Sequence, residues 1–211
     1  MSPETNTQVR IMKVAVVKYN AGNIFSVVHA LKRMGVEPLL TDSPEELRSA
    51  DKVIFPGQGE ASNAMSYLRE RGLDKVIRSL TQPVLGICIG QQLMCRHSEE
   101  GDTDCLGIFD VDVKRFIPQR HEDKIPHMGW NSIQNYKIQN SKCPILEGLD
   151  AVFVYFVHSF YVPVCEHTAA ITEYIHPFSA AMQKDNFFAT QFHPEKSGKV
   201  GQQILKNFLE L

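Results

Sequence analysis

Residues 83–90, Pro-Val-Leu-Gly-Ile-Cys-Ile-Gly, constrain this chain more than any other stretch. An apolar strand there runs straight into a cysteine with a glycine two positions to either side. The pattern Gly86-x-Cys88-x-Gly90 has the form of a nucleophile elbow, a sharp strand-to-helix turn that lifts its central side chain above the sheet. The flanking glycines leave room for so tight a turn. A helix expected from Gly90 through about His97 then directs its N-terminal N–H groups at the sulfur and at any oxyanion beside it. Most unpaired cysteines simply pack in a core, so Cys88 is a nucleophile only if a base exists elsewhere.

Residues 187–195, Phe-Phe-Ala-Thr-Gln-Phe-His-Pro-Glu, supply one. This is an apolar, β-rich run ending in a histidine and a carboxylate separated by a proline. Pro194 fixes its own φ and biases His193 toward an extended conformation. Residues two apart in an extended segment project to the same side, so Glu195 can orient the His193 imidazole while His193 reaches for Cys88. That is the division of labour of a catalytic triad: nucleophile, base and orienting acid.

With both segments in view, Gly-Ile-Cys-Ile-Gly-Gln-Gln and Gln-Phe-His-Pro-Glu-Lys-Ser resemble the two signatures of class I, triad-type, glutamine amidotransferases. The resemblance spans nearly the whole chain. Asn20-Ala21-Gly22-Asn23, Pro56-Gly57-Gln58-Gly59, Met128-Gly129-Trp130-Asn131 and the run 155–160, Tyr-Phe-Val-His-Ser-Phe, are together similar to the glutaminase subunits of imidazole glycerol phosphate synthase. That subfamily implies a glutamine-hydrolysing subunit in histidine biosynthesis. It works as a heterodimer with a (β/α)₈-barrel cyclase that takes up the ammonia.

Glutamine hydrolysis needs a nucleophile, an acid for the departing ammonia, and donors for the tetrahedral oxyanion. Cys88 and His193 fill the first two roles. The N–H of Ile89, next after the nucleophile, is one oxyanion donor, and the resemblance implies a second from the Gly57-Gln58 peptide. Gln58 departs from the subfamily, where an apolar residue is common. The resemblance also carries Gly57, Gly59, Gln92, Glu100, Ser159 and Phe160 to the substrate; without it, Gln92 reads as a solvated helix residue and Glu99 and Glu100 as surface charges. Asn23, Trp130, Tyr155 and Lys196 fall by resemblance at the partner interface, although a lone tryptophan such as Trp130 reads by itself as core.

Composition narrows the alternatives. A net charge of −2, with Lys and Arg scattered along the chain, leaves no basic footprint for nucleic acid or an anionic membrane. No apolar run approaches the roughly 20 residues of a membrane span, and residues 1–10 lack the apolar segment of a secretory signal, so a cytosolic protein is expected. The five cysteines (88, 95, 105, 143 and 165) are odd in number, irregularly spaced and without a Cys-x-x-Cys. Reduced thiols follow, with Cys95 as a packing residue two helical turns past Cys88. No His-x-x-x-His occurs, His121 and His127 read as solvated, and neither a catalytic metal nor a cofactor is expected.

A single α/β domain over residues 12–211, preceded by a flexible extension over 1–11, is the expected organisation. Residues 13–19 read as a strand and Asn23–Met34 as a helix stopped by Gly35. Short apolar runs at 37–40, 52–55 and 84–87 alternate with helical stretches at 44–50 and 61–80, which implies parallel strands and crossovers. After about residue 105 come consecutive strand-like runs at 109–116, 132–138, 151–161, 168–174 and 179–183, read as antiparallel hairpins added to the sheet. An amphipathic helix over 198–211 closes the chain. The resemblance implies the same architecture: a flavodoxin-like fold with a mixed, largely parallel central sheet flanked by helices, plus antiparallel strands. Competing readings are an amidotransferase serving the anthranilate, carbamoyl phosphate or pyridoxal phosphate synthases, a non-catalytic module on the same fold, and a free-standing thiol hydrolase.

Overall fold

The computed structural model describes residues 12–19, 24–57, 59–136 and 143–211. The expected extension over 1–11, Asn23 and Gln58 therefore lie outside the described residues. The first half alternates as its pattern requires: β1 (Val14–Val17), α1 (Ile24–Arg33), β2 (Leu39–Thr41), α2 (Pro44–Ser49), β3 (Lys52–Phe55), α3 (Ala61–Glu70), α4 (Leu73–Arg78), β4 (Val84–Ile87) and α5 (Ile89–Leu93). α2 starts where chemistry dictates, with Pro44 in the first turn and the Ser43 hydroxyl accepting from the Glu46 N–H. The helical stretch expected over 61–80 is two helices, because Gly72 between them takes a left-handed conformation, φ 65°.

The second half is β-rich: β5 (His97–Ser98), β6 (Thr103–Asp104), β7 (Asp112–Arg115), β8 (His127–Asn135), β9 (Val152–His158), β10 (Phe160–Tyr161), β11 (Thr168–Tyr174), β12 (His176–Lys184) and β13 (Phe187–Thr190), then α6 (Gly198–Leu209). The main sheet has nine strands in the order β2-β1-β3-β4-β13-β12-β11-β8-β9, parallel from β2 to β13 and antiparallel from there on. A separate four-stranded sheet, β10-β7-β5-β6, was not foreseen. It exists because the run expected as one strand over 151–161 divides at Ser159, sending Phe160 and Tyr161 to pair with Arg115 and Lys114.

Two apolar layers sandwich the main sheet. One gathers Val17, Phe55, Leu68, Ile77, Leu93 and Phe109, the other Val16, Leu31, Ile54, Phe156, Phe192 and Phe208. Neighbouring residues of a strand thus feed opposite layers, as the two-residue period demands.

Four local expectations are corrected. The helix after Cys88 ends at Leu93, well short of His97, because the segment 106–109 captures its carbonyls: the N–H of Leu106 bonds Leu93, and those of Ile108 and Phe109 bond Met94. Cys95 is fully buried as expected, but past the end of that helix. His127 is not solvated: β8 begins there, five residues before the expected strand, and turns the ring into the core, while His121 is exposed. Trp130 is 57% exposed and not core, since it lies on the outward face of β8, opposite Tyr155.

Candidate active site

Three parallel strands deliver the reacting groups to one edge of the sheet. Phe55 pairs with Gly86, and Ile87 with Thr190, so β3, β4 and β13 end together. Their continuations, Pro56-Gly57, Cys88 and residues 191–193, converge at the carboxyl end of the sheet, where open α/β folds place their ligands.

Cys88 sits in the elbow its sequence calls for, with φ 54° and ψ −110°. A non-glycine residue avoids this region and holds it only where surrounding structure enforces it, at a cost of about 1–3 kcal/mol. Enforcement is visible: the Cys88 N–H donates to the Thr190 carbonyl at 2.7 Å, and the Cys88 carbonyl accepts from the N–H groups of Gln91 and Gln92. The glycines are required by contact. A Cβ on Gly90 would lie 2.2 Å from the Phe55 carbonyl oxygen, and one on Gly57 would lie 2.2 Å from Ile89 Cγ2 and 2.6 Å from the Gly90 nitrogen. The backbone at Gly57 thus lies against the first turn of α5, on the same side as the Ile89 N–H expected to meet an oxyanion. The Tyr19 hydroxyl donates to the Pro56 carbonyl and pins this loop from below. Burial, and then the charge of Cys88, push the Tyr19 pKa upward, so it remains a phenol donor.

His193 and Glu195 meet as the sequence implies. His193 is extended, Pro194–Lys196 forms a single 3-10 turn, and Nδ1 lies 2.7 Å from Glu195 Oε1 with both side chains 2% exposed. The backbone frame around them is closed: the His193 N–H donates to the Tyr155 carbonyl, the Ser197 hydroxyl donates to the His193 carbonyl, and the Tyr155 N–H donates to the Ser197 hydroxyl. Burial opposes charge on the imidazole, but Cys88 and Glu195 outweigh it and raise the pKa to about 10. Nε2 is buried without a hydrogen bond, and Cys88 is the neighbour whose sulfur acts on it most strongly. Such contacts are often long in a free enzyme and tighten on substrate.

Sequence reasoning missed Gln191. It is fully buried, and its Nε2 donates to Cys88 Sγ at 3.7 Å. Gln92 is buried as well, with Nε2 donating at 3.0 Å to both the Phe160 carbonyl and Gln191 Oε1. The signal for Gln191 was its place just after the strand, two residues before His193 and so on the same side of an extended chain. Ser159 and Phe160 are half-buried beside this cluster. Glu100 is farther round: its carboxylate accepts from the Ala61 N–H at the start of α3, and burial raises its pKa. Glu99 is a surface charge, paired with Lys114 and the Arg115 N–H. Gly59 borders the same loop in a conformation, φ 123°, that suits only glycine.

Trp130 and Tyr155 make an edge-to-face pair on the outer side of the β8–β9 hairpin, flanked by exposed Met128 and Phe153. Lys196 is half-buried in the turn behind the triad. Among the described residues there is no helix long and apolar enough to cross a membrane, and no cluster of three His, Cys, Asp or Glu side chains suited to a metal ion.

The geometry agrees with comparisons to known proteins. Residues 15–211 match the family model for glutamine amidotransferase class-I. The chain is 68% identical over 201 residues to imidazole glycerol phosphate synthase subunit HisH of Bacteroides thetaiotaomicron, covering 95% of this chain and 100% of that protein. It is 44% identical to the protein of the same description from Escherichia coli, with the same coverages. In fold it is similar to a solved glutamine amidotransferase, with TM-score 0.70 and 20% identity over 93% of this chain and 97% of that one. It is likewise similar to the glutaminase domain of Trypanosoma brucei CTPS, with TM-score 0.63 and 16% identity over 94% of each chain. With an elbow cysteine, a buried His–Glu pair and a family match over nearly its whole length, the chain belongs to the class I glutamine amidotransferases.

Proposed function

We propose that this chain is the glutaminase subunit of an imidazole glycerol phosphate synthase, hydrolysing L-glutamine at Cys88 and passing ammonia to a (β/α)₈-barrel cyclase subunit. The observation that carries the chemistry is the convergence of Cys88 with the buried His193–Glu195 pair. The relatives called HisH support the choice of pathway over other synthases. His193 takes the proton of Cys88, and the sulfur attacks the side-chain amide carbon of glutamine. The Ile89 N–H, with a second donor from the Gly57-Gln58 peptide, stabilises the oxyanion. His193 then protonates the leaving nitrogen, ammonia departs, and water activated by His193 cleaves the thioester to release glutamate. Gln92, Glu100, Gly57, Gly59, Ser159 and Phe160 would hold the amino-acid end of the substrate. Glu100 would meet the ammonium with the oxygen that Ala61 does not use.

The partner surface we assign is the outer face of β8–β9. Met128, Trp130 and Phe153 are 65%, 57% and 60% exposed, and Tyr155 and Val157 lie between them by register. An aromatic cluster of this kind suits the centre of a protein interface. Its position suits ammonia transfer, because the Val157 carbonyl lies 3.8 Å from Cys88 Sγ and the Tyr155 carbonyl holds His193. A partner seated there is one strand away from the site where ammonia is released, and Lys196 borders the same edge.

The test is the substitution Cys88→Ala in the chain assembled with the cyclase subunit. Glutamine-dependent formation of imidazole glycerol phosphate is expected to vanish while synthesis from added ammonium salt persists. Glutamine hydrolysis near the wild-type rate in that variant would show the nucleophile to be misassigned.

A further inference from the structure

Behind the substrate-facing residues lies a line of polar groups, two buried histidines and a half-buried asparagine, that the triad does not use. Asn131 Nδ2 is 3.3 Å from His127 Nε2, His127 Nδ1 is 3.0 Å from His158 Nε2, and His158 Nδ1 is 2.7 Å from the Phe160 carbonyl. The donors can be assigned without ambiguity. A carbonyl only accepts, so His158 Nδ1 carries a proton and its Nε2, in the neutral ring, accepts. His127 Nδ1 must then donate and its Nε2 accept, which the Asn131 amide satisfies. The second hydrogen of that amide goes to the Glu173 carbonyl at 3.1 Å, and Asn131 Oδ1 accepts from the Ser132 N–H. Every group has its complement only while both rings are neutral, since a proton added to either would set two donors against each other.

The Phe160 carbonyl is the terminus of this line and also of a second one. Gln92 Nε2 donates to it from the other side, then to Gln191 Oε1, and Gln191 Nε2 donates to Cys88 Sγ. Both lone pairs of one carbonyl are thereby used, and a continuous set of hydrogen bonds runs from β8 to the nucleophile. Packing holds the rings in register: His127 stacks on Tyr174 at 4.0 Å and on Phe156 at 4.8 Å, and Phe178 stands against both histidines. Asn131 follows Trp130 on the strand whose outer face we assign to the partner.

We propose that His127 and His158 are positioning residues for glutamine hydrolysis, fixing the Phe160 carbonyl and, through Gln92 and Gln191, the sulfur of Cys88. This rests on the glutaminase reading. It gives a buried, directional connection between the β8–β9 hairpin and the nucleophile, one that a docked partner could tighten by ordering Asn131.

The full chain with its cyclase subunit provides the test. H158F keeps a ring of similar size and removes the donor to Phe160, whereas H158N keeps a donor where Nδ1 stands. H158F should lower kcat/KM for glutamine by roughly tenfold or more, and H158N should remain within about threefold of wild type. H127F and H127N should divide the same way, because asparagine can still donate from the Nδ1 position. The losses from Q92L and H158F should combine to less than their sum, since the two side chains share the Phe160 carbonyl, although Q92L keeps the part of its cost that comes from Gln191 and the substrate. Wild-type kcat/KM in H158F, or equal losses in H158F and H158N at unchanged melting temperature, would overturn the assignment. If H158F does not fold, the H127F and H127N pair decides by the same criterion. Labelling of wild-type Cys88 by a glutamine-mimicking electrophile separates the two levels: no labelling means the glutaminase reading fails, and normal labelling with wild-type-like relay variants means only the relay fails.

Discussion

Gly90→Ala is the sharpest probe of the elbow, because local and tertiary effects have opposite signs. Gly90 lies in α5, where alanine is intrinsically favoured over glycine by about 0.8–1.0 kcal/mol. Judged by the helix alone, the substitution should stabilise the protein. The tertiary contact reverses this: the new Cβ would fall 2.2 Å from the Phe55 carbonyl oxygen and 3.2 Å from its carbon. Relieving the overlap means separating β3 from the start of α5 by roughly 1 Å, and overpacking of this kind typically costs about 1–3 kcal/mol. The net expected loss is therefore about 0–2 kcal/mol in a urea titration, after the helix gain is subtracted. Turnover should suffer more, because the displaced parts are the two sides of the proposed oxyanion site, Gly57 and Ile89. A misplacement of about 1 Å can cost on the order of a hundredfold in rate. Glutamate release and the urea midpoint should be measured on the same preparation. A variant as stable and as active as wild type, or a more stable one, would refute the close approach of Phe55 and Gly90.

His193→Ala should lose activity by roughly 10⁴- to 10⁶-fold, with Glu195→Gln at least about tenfold milder, because the first removes the proton carrier and the second only its orientation and charge support. Single-turnover glutamate formation decides this, and a wild-type rate in the His193 variant sinks the triad. Acid should weaken the fold through the relay. Burial holds His127 at about 4 and His158 at about 3, below the ordinary value near 6.5, so the unfolded chain takes up protons that the native chain refuses. Their contribution is complete above pH 6.5 and declines as pH falls, by about 2 kcal/mol per ring between pH 7 and pH 5. His193, shifted upward, acts in the opposite sense: its contribution is complete below pH 6.5 and falls as pH rises from there toward about 10, so within this window it offsets a smaller part of the loss. Equal urea midpoints at pH 7 and pH 5 would contradict the neutral pair.

What the sequence revealed, it revealed through local rules. The elbow announces itself because its glycines and its cysteine sit at fixed offsets, and α2 is bounded by its own serine cap and first-turn proline. The His-Pro-Glu run is equally legible, since proline dictates the conformation that brings His193 and Glu195 together. Where partners are distant the signal fades. Nothing near His127 says that a second histidine, 31 residues on, will satisfy it in the core, so a polar, proline-containing stretch reads as surface. Trp130 fails in the opposite direction: its size suggests core, and only the register with β9 shows that its face of the strand is left uncovered. The early end of α5 is likewise decided from outside, by the N–H groups of residues 106–109.

The position of β13 has a consequence for how the protein comes into being. This strand, between β4 and β12, carries the base to the nucleophile, yet Gln191 and Cys88 are 103 residues apart in the chain. Contacts this distant in sequence close late. A ribosome-bound chain that has already formed β1 to β4 holds the cysteine with no base beside it, and α6 must still pack beneath the turn that carries Glu195. By topology alone, a growing polypeptide that lacks β13 and the turn after it has no assembled site with which to spend glutamine, however much of the parallel sheet has already formed.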